Sequence, residues 1–328
     1  MHLFRISNAA GIALVVLTAG SVLGAEQATK PFRIGWLGGT PEASRSVTEF
    51  QQGLRDLRYV EGQNIVIEYR RATGSVSQQA EIAAELVRIP VDILVTSGES
   101  PALAAKRTSK SIPIVAIDLA WDPVKAGLVA SLSRPEGNLT GLASQSDELW
   151  PKRLGLLKQI KPKTARLAVL WNPGNQGNAS CVAEISAGAA TLDMEVQPLE
   201  ARDASALDLA FRSIAATPTD AIAICWDSAT LANARSIADF ALKSGLPTVS
   251  PLREYVEVGA LISYGPSLAA QHRRAAYYVD KILKGVKPAS LPVEQPTQFD
   301  LVVNLTTAKR LGLTLPPIVV GVADDLIQ

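Results

Sequence analysis

From residue 32 onward, short apolar runs of strand length alternate with amphipathic helical segments, and the alternation occurs twice. In the first series Phe32–Leu37, Asn64–Tyr69, Val91–Thr96 and Pro113–Asp118 read as strands. Between them, Ser44–Tyr59 sets Val47, Phe50, Leu54 and Leu57 on one helical face, and Gln78–Arg88 and Pro101–Lys110 also read as helices. Strands and helices of these lengths in strict alternation predict parallel βαβ units. The nearly unbroken apolar strands agree, because a parallel sheet is covered on both faces.

A second series starts near residue 165. Arg166–Trp171, Glu195–Leu199, Ala221–Trp226 and Thr248–Pro251 are its strands, and Ala179–Leu192, Ser205–Ala215 and Thr230–Ser244 its helices. A turn-rich break at Arg134–Asn138 precedes it. Leu139–Ser144 and Ala260–Tyr264 read as extended segments joining two lobes, followed by a helix at Leu268–Leu283, a Pro-rich stretch over 288–296, a strand at Phe299–Val303 and a short helix at Thr306–Leu311. The expected division places 31–143 and 266–290 in an N-terminal lobe and 144–265 and 291–328 in a C-terminal lobe.

Residues 1–25 carry Arg5, an apolar run from Gly11 to Leu17, and small residues around Val22-Leu23-Gly24-Ala25. This is the layout of a secretory signal peptide. The run is too short to span a bilayer, so the expected product is a soluble periplasmic protein. Removing the signal takes away one cation, Arg5, and leaves 31 Lys+Arg against 31 Asp+Glu. A net charge of zero gives no basic footprint for nucleic acid. Cys181 and Cys225 are the two cysteines. In an oxidising compartment they could pair; separate burial in a helix and a core strand fits the sequence as well.

Catalytic chemistry is sparse. His272 is the one histidine outside the signal, and in Ala270-Gln271-His272-Arg273-Arg274 it reads as a solvated helix residue. A Ser-His-Asp triad needs a histidine base, and no H-E-x-x-H, C-x-x-C or Walker pattern occurs. The expectation is a binder that is not an enzyme, with no metal and no cofactor. Asp118, Asp122, Asp227 and Glu254 could share a cleft as carboxylates, but their spacing specifies no paired-acid chemistry.

Ligands of open parallel sheets sit beyond the carboxyl ends of the strands. That rule selects Gly39 and Thr40 after the first strand, and Ser97, Gly98 and Ser100 after the third, where a helix start suits a ligand carboxylate. Ser100 before Pro101 is equally a plain helix cap. In the second series it selects Asn172 and Asn175, which also suit Asx turns or helix caps, and Asp227 beside Trp226, a candidate for a ligand ammonium and also a helix cap. Trp121 and Tyr264 offer apolar faces to a ligand or to lobe packing. Asp122 reads as the cap of a helix over Val124–Leu132.

Several segments resemble the ABC-transporter substrate-binding protein family that includes tryptophan- and phenylalanine-type binders. They are Tyr59-Val60-Glu61-Gly62-Gln63-Asn64-Ile65, Ile112-Pro113-Ile114-Val115, Asp122-Pro123-Val124, Gly137-Asn138-Leu139-Thr140-Gly141, Leu170-Trp171-Asn172-Pro173 and Ile262-Ser263-Tyr264-Gly265-Pro266. Val279 to Gly285, Leu291 to Pro296 and Asn304 to Leu313 continue the likeness in order. The resemblance implies a type I periplasmic-binding-protein fold: two Rossmann-like lobes with parallel sheets, joined by three crossovers and closing on a small-molecule ligand. It also implies a membrane permease and an ATPase as partners. The family commonly carries a Gly-Thr-Pro-type turn where this chain has Ser97-Gly98-Glu99-Ser100-Pro101, so ligand identity does not transfer. A sensor that passes its closed form to a signalling receptor is the alternative role.

Overall fold

The computed structural model describes residues 30–38, 45–71, 76–119, 122–144 and 146–328. The signal-like segment, Gly39, Thr40 and Trp121 lie outside the described residues.

Five parallel strands form the first sheet: β1 (Phe32–Gly38), β2 (Ile65–Arg71), β3 (Ile93–Ser97), β4 (Ile114–Leu119) and β5 (Leu139–Ala143), in the order β2-β1-β3-β4-β5. Helices α1 (Arg45–Asp56), α2 (Val76–Arg88) and α3 (Glu99–Thr108) connect them. Every residue of β4 is buried, as a doubly covered strand requires. The segment after Asp122 forms only hydrogen-bonded turns, where the sequence suggests a helix. Asp122 Oδ1 does cap it, accepting from Val124 and Lys125 N–H, but the turn ends at Gly127, whose φ is +69°.

The second lobe contains α4 (Trp150–Ile160), β6 (Arg166–Trp171), α5 (Gln176–Ala190), β7 (Glu195–Glu200), α6 (Ala204–Ala216), β8 (Ala221–Ile224), α7 (Ser228–Ala232), α8 (Ala234–Lys243), β9 (Thr248–Ser250), α9 (Arg253–Glu257) and β10 (Ile262–Pro266). The single helix read over 230–244 is divided at Asn233, where α7 ends and α8 begins. The chain continues through α10 (Leu268–Leu283), β11 (Phe299–Asn304), α11 (Leu305–Arg310), α12 (Pro317–Gly321) and β12 (Asp325–Ile327). The seven strands run β12-β11-β10-β9-β8-β6-β7, parallel except where β11 meets β10.

The antiparallel pair follows from the path of the chain. After β10 the chain leaves the second sheet, and α10 packs on the first lobe. Val47, Phe50 and Leu54 of α1 share a core with Ala275, Ala276, Tyr278, Val279 and Ile282 of α10. Gly53 permits the close crossing, since a Cβ there would come within 2.7 Å of Arg273 O. Arg273 then reaches Asp56 at 2.6 Å and Glu49 at 3.2 Å. The chain re-enters the second sheet at the end where β10 left it, so β11 must run the other way. The sequence reading put the return at residue 290. Backbone hydrogen bonds hold the chain on β5 four residues longer: Ala143 N–H donates to Glu294 O, and Glu294 N–H to Gly141 O.

Cys181 of α5 and Cys225, just after β8, form a disulfide with Cα atoms 6.1 Å apart. Both are buried in the core between α4, α5 and the sheet.

A candidate ligand site between the lobes

In the first lobe the strand ends after β3 and β4 build the site. Gly98, the N-cap of α3, has φ +97° and ψ 164°, a conformation that is essentially glycine-only. Its N–H donates to Ile117 O at 2.9 Å. The Ser97 hydroxyl donates to Asp118 Oδ2 at 2.8 Å. The expected carboxylate cradle is therefore partly committed to the protein itself. Ser100 lies in the first turn of α3, next to the buried Glu99.

Asp118 takes a left-handed backbone, φ +61°, at a register shift between Ala116 and Leu119. Such a bulge re-aims a side chain at a sheet rim. Asp118 is 1% exposed, and burial holds its carboxyl above the usual range despite His272 and the Ser97 hydroxyl. His272, read from sequence as solvated, is 2% exposed and stands with Nε2 3.5 Å from Asp118 Oδ2. Its Nδ1 lies 2.9 Å from Leu268 O. The helix that carries it docks on the first sheet, and this position faces inward. Ser97, Asp118 and His272 do not form a hydrolase triad, because the hydroxyl donates to the carboxylate and not to the imidazole.

In the second lobe, Asp227 caps α7 with a capping box shared with Thr230. Its Oδ1 accepts from Ala229 N–H at 2.8 Å and Asn172 Nδ2 at 2.8 Å, and its Oδ2 from Asn175 Nδ2 at 3.0 Å. Asn175 also caps α5, and Asn172 Oδ1 accepts from Gly174 N–H. The structure thus joins the three polar residues selected from the second series into one network. Tyr264, on β10, accepts Arg153 Nε at its carbonyl at 2.6 Å, and its hydroxyl meets Lys152 Nζ at 2.7 Å. The fully buried Arg153 also donates to Ser146 O and Oγ, bracing α4 against β10.

The two lobes approach at Gly98. A Cβ on it would lie 3.5 Å from Trp226 Cη2. Enclosure pushes Glu254 of α9 up to about 7; its own backbone N–H offsets this, while the Glu257 and Asp118 charges add to it. Asp147, in the 3-10 turn before α4, is pushed up to about 8 by enclosure and then by Glu99, with Arg153 opposing. Both residues keep part of their surface accessible.

Several buried polar side-chain atoms of the two lobes have no partner. Asp118 Oδ1, Glu254 Oε2, Trp226 Nε1 and both amide atoms of Gln271 are buried with no hydrogen bond. Each such group costs about 1–3 kcal/mol. Sequence reasoning named Asp118 and Glu254 only as carboxylates that could share a cleft and Trp226 only as the neighbour of Asp227, and it left Gln271 out. One signal was available: Asp118 closes the apolar run Ile114–Ile117, a carboxylate at the rim of a buried strand. Among the described residues no cluster of His, Cys, Asp or Glu is placed to hold a metal ion, and no helix is long and apolar enough to cross a membrane.

Comparison with known proteins decides the family. The family model described as ABC transporter substrate binding protein matches residues 40–327. The chain belongs to this family. A tyrosine-binding protein of Clostridioides difficile (strain R20291) is 26% identical over 274 residues, 83% of this chain and 78% of that protein. Among solved structures of similar fold, a conserved domain protein from Vibrio cholerae is 29% identical with a TM-score of 0.82, covering 91% of this chain and 99% of its own. An ABC domain from Streptococcus pneumoniae in complex with L-Trp is 23% identical, also with a TM-score of 0.82, over 91% of this chain and 100% of its own. For this substrate-binding protein, then, the two α/β lobes follow the layout of a similar solved structure.

Proposed function

We propose that this substrate-binding protein is the extracytoplasmic solute-capturing component of an ABC importer. It takes a small amino-acid-like or carboxylate ligand between its lobes, and hinge closure then presents the closed form to a permease and an ATPase. The observation that carries this reading is the set of unpartnered buried polar atoms on the two lobes: Asp118 and Gln271 of the first, Trp226 and Glu254 of the second. Buried polar groups are almost always hydrogen-bonded, so orphans gathered at one cleft mark where a ligand supplies the partners. Ser97, Gly98 and Ser100 form the first-lobe wall of the pocket; the sequence candidates Gly39, Thr40 and Trp121 lie outside the described residues. Asn172, Asn175, Asp227 and Tyr264 form the second-lobe wall. The crossovers near residues 144, 266 and 295 are the hinge. Residues 1–25 direct export and are removed, which leaves a soluble periplasmic protein.

The relatives name the first compounds to test, since one is called tyrosine-binding and another holds L-Trp. A thermal-shift screen of amino acids, aromatic acids and sugars tests the reading. A ligand at 100 times its dissociation constant adds about 2.7 kcal/mol of stability. An amino acid that raises the melting temperature supports it; a response to neutral sugars alone defeats the amino-acid assignment.

A further inference from the structure

We propose that Asp118 of the first lobe and Glu254 of the second are the two halves of one ammonium site, and that the lobes close fully only when a cationic group stands between them. The inference rests on the solute-binding reading and adds a charge requirement to it. Asp118 is fixed at the rim of β4 by its left-handed backbone and the Ser97 hydrogen bond, which occupies Oδ2 and leaves Oδ1 without a partner. Glu254 sits on α9, directly after β9, with Oε2 unpartnered. The Gly98–Trp226 approach brings these two strand-end regions together. Each oxygen is satisfied within its own lobe by nothing, and the other lobe offers it a second carboxylate.

The surrounding charges do not supply the missing cation. Asp118 has the His272 ring of α10 at 3.5 Å and the Ser97 hydroxyl of β3 at 2.8 Å, and its charge acts on Glu254 of α9. Glu254 faces Asp118, Glu257 and Arg253. Arg253 is already held by Glu257 at 2.9 Å and Asp325 at 2.6 Å. Arg153, whose charge opposes the raised Asp147 carboxyl, is committed to Tyr264 and Ser146. Two like charges facing each other in an enclosed site disfavour closure until a proton or an ammonium joins them. A primary amine meets the need, since its N–H groups can serve both orphaned oxygens at once. A deaminated acid brings a third negative charge and is rejected.

Small-angle scattering of the ligand-free full chain at pH 8 and pH 5 provides one test, with Glu254→Gln and Asp118→Asn alongside. Asn tolerates the left-handed backbone at residue 118, so the second variant keeps the fold. Protons replace the amine: the wild type should have a smaller radius of gyration at pH 5 than at pH 8, and both variants should be compact already at pH 8. Calorimetric titration provides the other test, with L-tyrosine and 3-(4-hydroxyphenyl)propanoate. The amine should be worth about 30-fold or more in affinity in the wild type, and Glu254→Gln should erase most of that preference. Equal radii in all three proteins at both pH values overturn the pair, whatever binds. Equal affinity for the two compounds overturns the ammonium assignment and leaves solute binding intact. A broad metabolite screen in which nothing binds, with the radii still responding to pH, overturns the solute-binding reading and keeps the charge gate.

Discussion

Gly98 lies against the Trp226 indole, the point at which the two lobes come within van der Waals reach, with a Cβ position 3.5 Å from Cη2. Gly98→Ala should cost about 1–3 kcal/mol of stability, because the φ of +97° suits glycine alone. Gly98→Val should cost a similar amount and in addition weaken ligand binding, since its extra methyl groups meet the indole and hold the lobes apart. Calorimetric unfolding and titration separate the two effects. A Gly98→Val protein with wild-type affinity would mean that the lobes close along another line.

The disulfide between Cys181 and Cys225 encloses a sequence separation of 44 residues. The chain-entropy relation gives about 4 kcal/mol for a loop of that size. Replacing both cysteines by Ala should lower the denaturation midpoint by an amount of that order and leave the ligand site unaltered. An unchanged midpoint in the double variant, compared with oxidised wild type, would contradict this.

Asp227 is the acceptor shared by the Asn172 and Asn175 amides and the Ala229 N–H. Asp227→Asn supplies only one oxygen, so an amide donor is left facing another donor. We expect a loss of about 1–3 kcal/mol in chemical denaturation. Ligand affinity should fall with it as the second-lobe wall relaxes. A wild-type midpoint would show that the network contributes nothing.

Stability should depend on pH in a stated direction. Glu254 is raised from 4.5 to about 7, and Asp147 from 3.8 to about 8, in the folded protein. The native form therefore holds more protons than the unfolded chain between roughly pH 4 and 8, and stability falls as pH rises across that window. Their contribution is complete below the unfolded values and is lost through 7 to 8. The melting temperature of ligand-free protein should drop between pH 5 and pH 8, and the Glu254→Gln curve should be flatter over the same span. Parallel curves would remove Glu254 as a source of the dependence.

The βαβ layout was legible because burial on both faces leaves a mark in each strand alone: Ile114–Ile117 and Ala221–Ile224 are apolar without interruption. Helix starts at Asp227 and Asn175 were legible because a cap is a local event. His272 was not. Its neighbours Arg273 and Arg274 reach Glu49, Asp56 and Glu294 at the surface, while His272 turns toward Asp118, and only the docking of α10 on the other lobe's sheet separates these environments. Glu254 was legible as an acid that could line a cleft, but its environment was not, for the same reason. Within its own lobe it is an ordinary acid on a five-residue helix; the opposite lobe makes it unusual. The reversed direction of β11 depends on where the chain re-enters the sheet, which no local pattern encodes.

The α1–α10 core gives the protein an unusual order of assembly. The apolar face of Val47, Phe50 and Leu54 waits for Tyr278 and Val279, more than two hundred residues later in the chain. The intervening residues build most of the other lobe, whose own sheet waits in turn for β11 and β12. Neither half can finish while the ribosome is still at work, and contacts of such long sequence separation form slowly. Neither core is complete until residues from nearly the whole length of the chain are available to it.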